Sequence, residues 1–313
     1  MHVDAHLTEH SEPAGRPNEP AAVRSLQFDD VVATYVVDGV LALRPAEFFP
    51  AIPAEYWSSD HGLFDAHARI VMSAGGLLVE RDGRALLIDA GLGPTTEDSV
   101  VGPINSGSML DVLSSLGRRP EDIEMLAFTH LHLDHTGWAF IPAADGRVTK
   151  TFPNASYKVA AREWAPHAHG AKAGLATRPE LIAPLAANHI EFEDGEEIFP
   201  GVRALVTPGH SPGHTSYVIT SATTGQRLIA FGDAFHIPAQ LAHTDWSSAP
   251  DTDVQAVKKA RRRLLDELTQ PNTIGFAFHF GDQPFGRVTT NGGRPAWEPI
   301  PTTVHAPAPR TFT

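Results

Sequence analysis

Six residues, His130-Leu131-His132-Leu133-Asp134-His135, constrain this chain more than any others do. They follow a short apolar run, Met125 to Phe128, that reads as a buried strand ending at Thr129-His130. Side chains at i and i+2 of an extended strand end point the same way, so His130 and His132 face a common point. Asp134 and His135 follow as the chain turns, which brings four ligand-type side chains together within six residues. Borderline metals such as zinc favour imidazole and carboxylate, and two such ions need about this many donors. A His-rich loop with satisfied hydrogen bonds is the plainer alternative, and the spacing weighs against it.

Composition removes most competing chemistries. The chain has no cysteine, so disulfides, thiolate nucleophiles and Cys-ligated zinc or iron–sulfur sites are excluded, while 17 histidines leave imidazole and carboxylate as the available donors. A formal charge of −13 argues against a nucleic-acid or anionic-membrane partner, both of which need a basic footprint. The basic run Lys258, Lys259, Arg261, Arg262, Arg263 sits on a helical pattern beside acidic residues and reads as a solvated face. The N-terminus shows no charged segment leading into an apolar run, and no stretch approaches about 18 apolar residues, so a cytoplasmic location is the expectation.

At 313 residues and 42% hydrophobic content the chain can bury a sizeable core, and 26 Gly with 26 Pro point to many turns rather than a helical bundle. Residues 1–25 are polar and read as an extended or disordered arm, residues 26–290 as one domain, and residues 291–313 as a Pro-rich extended tail over the surface. Val32 to Val37 and Leu41 to Leu43 look like a hairpin around Asp38-Gly39, and residues 76–80 and 85–88 form another around Arg81-Asp82-Gly83-Arg84. Thr252 to Leu268 carries helical apolar spacing, with Asp251 or Thr252 as N-cap. There is also an internal echo. Gly83 to Ala90 and Gly225 to Ala234 are each a turn, an apolar strand and an Asp at the strand's C-terminal end, as two related halves would give.

The His-x-His-x-Asp-His string resembles the signature of the metallo-β-lactamase superfamily, and three downstream elements resemble it in order. These are Thr207-Pro208-Gly209-His210-Ser211-Pro212-Gly213-His214, then Phe231-Gly232-Asp233, then Phe278-His279-Phe280. The resemblance covers about residues 30–287 and implies a four-layer αββα sandwich of mixed α and β structure, with a dinuclear site at one edge between the sheets. By the same resemblance His130, His132 and His210 would hold one metal, Asp134, His135 and His279 the second, and Asp233 would bridge both. His210 and His214 compete for one role; the resemblance favours the first and leaves His214 to pack or hydrogen-bond nearby. Asp89 resembles a position that supports a ligand histidine from behind, and is on sequence equally a surface turn residue. Two divalent ions, zinc first with manganese, iron or cobalt as alternatives, would carry a bridging hydroxide. After Asp134, Asp233 and that hydroxide are counted, a residual charge near +1 remains to stabilise a developing oxyanion.

The span Gly232 to Gln240 with His243 to Trp246, together with Phe152-Pro153-Asn154-Ala155, Glu163-Trp164 and Phe285-Gly286-Arg287, resembles the branch of N-acyl-homoserine lactonases and methyl parathion hydrolase-like enzymes. That implies a small-molecule lactone or ester substrate, with a homodimer left open. Asp134 and His236 are the candidate catalytic residues. His236 stands where many lactonases of this superfamily carry a Tyr, three residues after the bridging Asp. Phe48, Phe49, Trp57, Phe64, Trp138, Phe235, Trp246 and Phe285 are candidate pocket walls. The competing activities are a glyoxalase II-type thioesterase and a phosphotriester or aryl-ester hydrolase. From a different class, a metal-binding or ligand-sensing protein would keep the same donors.

Overall fold

The computed structural model describes residues 11–59, 62–142, 147–169 and 177–306. Two sheets dominate it. The larger runs through Val23–Phe28, Val31–Leu43, Ile70–Arg81, Arg84–Ile88, Met125–Ala127, Ser156–Ala160 and His189–Phe192. The second is seven-stranded and runs from Glu197–Phe199 through Val202–Val206, Thr215–Thr220, Arg227–Ala230, Thr273–Phe276 and Phe285–Asn291 to Arg294–Pro299.

Strand alternation divides the apolar residues between three layers of core. Tyr35, Leu77, Ile88, Tyr217, Ile274, Phe276 and Phe285 are buried between the sheets. On the outer face of the larger sheet Leu78, Leu87 and Leu126 pack against Leu113, Trp164, Leu181 and Leu185 of three short helices. On the outer face of the second sheet Ile229 and Phe231 pack under Leu264 and Leu268 of the helix Val254–Leu268. The result is the helix–sheet–sheet–helix sandwich that the resemblance implied. Each fully buried Leu or Phe contributes about 1.5–3 kcal/mol relative to exposure.

Parallel pairing sets the position of the site. Arg84–Ile88, Met125–Ala127 and Ser156–Ala160 run parallel in one sheet, and Arg227–Ala230 and Thr273–Phe276 run parallel in the other. Their C-terminal ends therefore carry Asp89, Thr129-His130, Asp233 and His279 to one edge. The two echoing segments occupy matching places: each strand pairs with a parallel neighbour and delivers its aspartate to that edge.

Several expectations are corrected. The hairpin around Asp38-Gly39 is instead one strand, Val31–Leu43, with a register shift between Val37 and Gly39 where it pairs with Ile70–Arg81. The bulge turns Asp38 inward, where its carboxylate accepts the N–H groups of Leu92, Gly93 and Met109 and the indole N–H of Trp138. By contrast, the turn at Asp82-Gly83 is the expected one, with φ of +52° and +76°.

The expected arm is integrated over its described part: Ser11–Glu12 pairs with Thr302 and Thr303, and Arg24 makes a buried pair with Asp282 at 2.6 Å. The expected surface tail likewise enters both sheets, through Arg294–Pro299 and Thr302–Ala306. Pro295 and Pro299 are tolerated because their strand is the sheet's edge. Residues 1–10 and 307–313 lie outside the described residues. No helix among the described residues is long and apolar enough to cross a membrane.

Candidate metal centre

Asp233 sits at the middle of the strand-end edge, in the short turn Gly232–Ala234 that follows Arg227–Ala230. Its two carboxylate oxygens face different histidines. Oδ2 lies 3.3 Å from His210 Nε2 and 3.9 Å from His130 Nε2, while Oδ1 lies 2.9 Å from His279 Nε2 and 3.1 Å from His135 Nε2. Asp134 Oδ2 closes the second group, 3.6 Å from His135 Nε2 and 3.8 Å from His279 Nε2. Donor atoms of His130, His132 and His210 lie within 4.8 Å of one another, and so do those of Asp134, His135, Asp233 and His279.

Three of the imidazoles are oriented from behind. Asp89, buried and at φ +65°, takes His135 Nδ1 at 2.7 Å and also accepts from the backbone N–H and hydroxyl of Thr129. It is a supporting carboxylate rather than a surface turn residue. His279 Nδ1 bonds to the carbonyl of Ser73 at 2.9 Å, and His210 Nδ1 bonds to Asp251 Oδ1 at 2.8 Å. These contacts leave Nε2 of all three rings facing inward, which is the tautomer a metal needs.

His214 is turned the other way. Its Nδ1 contacts Thr207, and its Nε2 accepts the backbone N–H of Asp233. The approach is close enough that a Cβ on Gly232 would meet His214 Nε2 at 2.5 Å, which is why glycine stands there at φ +51°.

The residues present fit divalent ions. His130 Nε2 is fully buried and has no hydrogen-bond partner, a costly arrangement for an imidazole nitrogen unless a cation takes its lone pair. Electrostatics agree. Burial works against the ionised forms of Asp134 and Asp233, yet the surrounding histidines outweigh it and hold both carboxyls below the usual range. His210 is pushed up to about 9: burial opposes its charge, but Asp233 and Asp251 outweigh it. His130 and His132 are instead driven down by burial, His132 to about 3. A buried carboxylate, Asp233, and a partly buried one, Asp134, thus call for positive charge, from protonated imidazoles or from metal. His130, His132 and His210 could hold one ion and Asp134, His135 and His279 another, with Asp233 between them.

Three supporting residues were not identifiable from sequence as parts of the site. Glu163 accepts the N–H of Leu131 through Oε1, and the hydroxyl of Ser211 and N–H of Gly213 through Oε2, so one carboxylate ties both His-bearing loops together. Asp251 read as a helix cap, but Asp253 caps the helix by accepting from Gln255 and Ala256, which frees Asp251 for His210. Arg261 read as part of a solvated basic face and is completely buried. A polar residue within an apolar pattern, as at Arg261 between Ala260 and Leu264, is the signal that could have marked it.

His236 lies inside the cluster, its Nε2 3.1 Å from Asp233 Oδ2 and its ring edge-on to Phe48 and Phe49. Phe48, Phe49, Trp57, Phe64 and Trp246 form one apolar group with Ile237 and Leu133, and Tyr56 joins them. The other three expected walls lie elsewhere. Phe235 packs with Phe231 under the long helix, Phe285 packs at a tilt against Phe276 between the sheets, and Trp138 packs over the larger sheet with its N–H on Asp38. Aromatic character alone does not say which face of an element it will occupy. A separate cleft of about 790 Å³, lined by Asp30, Arg81, Asp194 and Arg263 among others, contains none of the metal donors.

The family model described as the metallo-beta-lactamase superfamily matches residues 76–279. An N-acyl homoserine lactonase of Bacillus thuringiensis is 28% identical over 130 residues, 41% of this chain and 45% of that protein. The chain thus spans about half the length of the curated relatives it matches. Solved structures share the fold, among them two hydrolases. AidC, described as a dizinc quorum-quenching lactonase in complex with a product, superposes with a TM-score of 0.75 at 21% identity, covering 90% of this chain and 98% of that one. The hydrolase AbOPH superposes with a TM-score of 0.70 at 23% identity over the same shares.

Proposed function

This chain belongs to the metallo-β-lactamase superfamily, and from that premise we propose that it is a dinuclear metallohydrolase that opens a lactone or cleaves a carboxylic ester. The observation that carries the reading is Asp233, one carboxylate whose two oxygens face two separate groups of donors. Divalent ions held there would lower the pKa of water to about 7 and polarise a scissile carbonyl.

The chain's own residues supply the rest. Asp89, Asp251 and the Ser73 carbonyl hold the tautomers of His135, His210 and His279. Glu163 fixes the spacing between the loop of His130 and the loop of His210. Phe48, Trp57, Phe64 and Trp246 are partly exposed beside the cluster and suit an apolar acyl or alkyl group. His236, the remaining imidazole at the cluster, has a buried Nδ1 without a hydrogen-bond partner and is assigned to the substrate or the departing oxygen. The lactonase neighbours support a lactone over a β-lactam, and zinc is the metal the donor set favours.

Metal analysis of the purified chain, followed by a screen of lactones, aryl esters, thioesters, phosphotriesters and β-lactams, tests the proposal. Two ions per chain and highest kcat/KM on a neutral, fairly apolar lactone or ester are expected. At least tenfold higher kcat/KM on a thioester or β-lactam than on every lactone and ester would overturn the substrate assignment.

A further inference from the structure

Arg261 is the largest fully buried side chain among the described residues, at 0% exposure, while Lys259, Arg262 and Arg263 beside it are exposed. Burying a guanidinium is costly unless its charge and donors are matched, so its partners identify what it does. Nε donates to the carbonyl of Ala234 at 2.5 Å, and Nη1 donates to the carbonyl of Trp246 at 2.6 Å. Nη2 lies 3.6 Å from Asp251 Oδ2, an ion-pair contact rather than a hydrogen bond. Ala234 follows Asp233 directly, Trp246 belongs to the aromatic group beside His236, and Asp251 holds His210 through its other oxygen. The backbone N–H of Ser248 fixes Asp251 Oδ2 at 2.8 Å, so the carboxylate is clamped from two sides. One side chain on the outer helix therefore reaches three segments that shape the metal centre.

We propose that Arg261 is a positioning residue that sets the metal affinity of the His130, His132 and His210 group, by holding Asp251 against His210 and Ala234 beside Asp233. The proposal rests on the reading of His210 as a metal ligand. The planar fork lets Nε and Nη1 donate to two separate carbonyls while Nη2 keeps its charge beside Asp251, and an ammonium on a flexible stem would have to give up at least one of these contacts. Helix packing alone would be served as well by an apolar side chain of similar size.

Cobalt(II) titration of the full chain, with affinity measured by chelator competition and the visible spectrum recorded, tests the assignment in R261M, R261K, D251N and the R261M/D251N double variant. R261M and D251N should each bind at least one of the two ions about 10–100-fold more weakly, with a changed cobalt spectrum. The double variant should lose less than the product of the two single losses, because both residues act on His210. R261K, which keeps the charge and loses the fork, should resemble R261M. Wild-type cobalt affinity and spectrum in R261M, whatever its melting temperature, would overturn the proposal. If R261M does not fold, R261K decides: a tenfold or greater loss supports the assignment and wild-type affinity overturns it. A wild-type chain that takes up no cobalt overturns the metal reading itself, whereas a loaded wild type with unchanged variants overturns only the role of Arg261.

Discussion

The backbone N–H of Asp233 donates to His214 Nε2 at 2.9 Å, and this bond separates the two histidines of the Thr207–His214 turn. His214 spends its inward nitrogen holding the Asp233 backbone, while His210 directs its Nε2 at the Asp233 carboxylate. His210→Ala should therefore lose about one metal ion per chain. His214→Ala should keep both and melt at a lower temperature, since a buried N–H left unpaired costs about 1–3 kcal/mol. Elemental analysis beside a thermal melt checks the pair, and metal loss confined to His214→Ala would reverse the assignment.

Asp233→Ala should lose metal and activity together, because its carboxylate faces both donor groups. Stoichiometry and kcat/KM measured on the same preparation test this. A fully active variant holding one ion would contradict a dinuclear centre.

His236→Phe should retain metal and lose about 10²-fold in kcat/KM, the usual scale for a positioned acid or oxyanion donor. Phenylalanine fits beside Phe48 and Phe49, so the fold should persist. Near wild-type turnover at full metal content would reduce His236 to a structural role.

Exhaustive chelation should lower the melting temperature, and stoichiometric zinc should restore it. Ligand present at about 100 times its Kd stabilises by about 2.7 kcal/mol, and removal also leaves His130 Nε2 buried without a partner. An unchanged melt after verified metal removal would count against a centre coupled to folding.

Asp65 provides a pH test remote from the metal donors. Burial raises its carboxyl, but N–H bonds from Arg69 and His67 and the Arg69 guanidinium outweigh it and hold it below the usual range. A depressed folded pKa contributes stability above the unfolded value, about 3.9, and loses it as pH falls through the folded one. Asp65→Asn should therefore be less stable than wild type at pH 7, with the gap closing toward pH 3. A gap constant across that range in denaturant melts would rule out this linkage.

Local order was legible in the sequence wherever one short segment carries its own geometry. His130, His132, Asp134 and His135 are neighbours in the chain, so strand periodicity alone converges them. The turn at Asp82-Gly83 and the aspartates closing the two echoing strands are likewise set by adjacent residues. What tertiary structure decided is which distant group meets each of these. Asp251 met His210 across 41 positions, Glu163 met Leu131 and Gly213 across 32 and 50, and Asp282 met Arg24 across 258. Arg261 is buried and Phe235 and Phe285 are drawn into the core for the same reason: sheet packing chooses which face is enclosed. Hydrogen bonds and burial act on distance in space, and sequence spacing reports that distance only within one element.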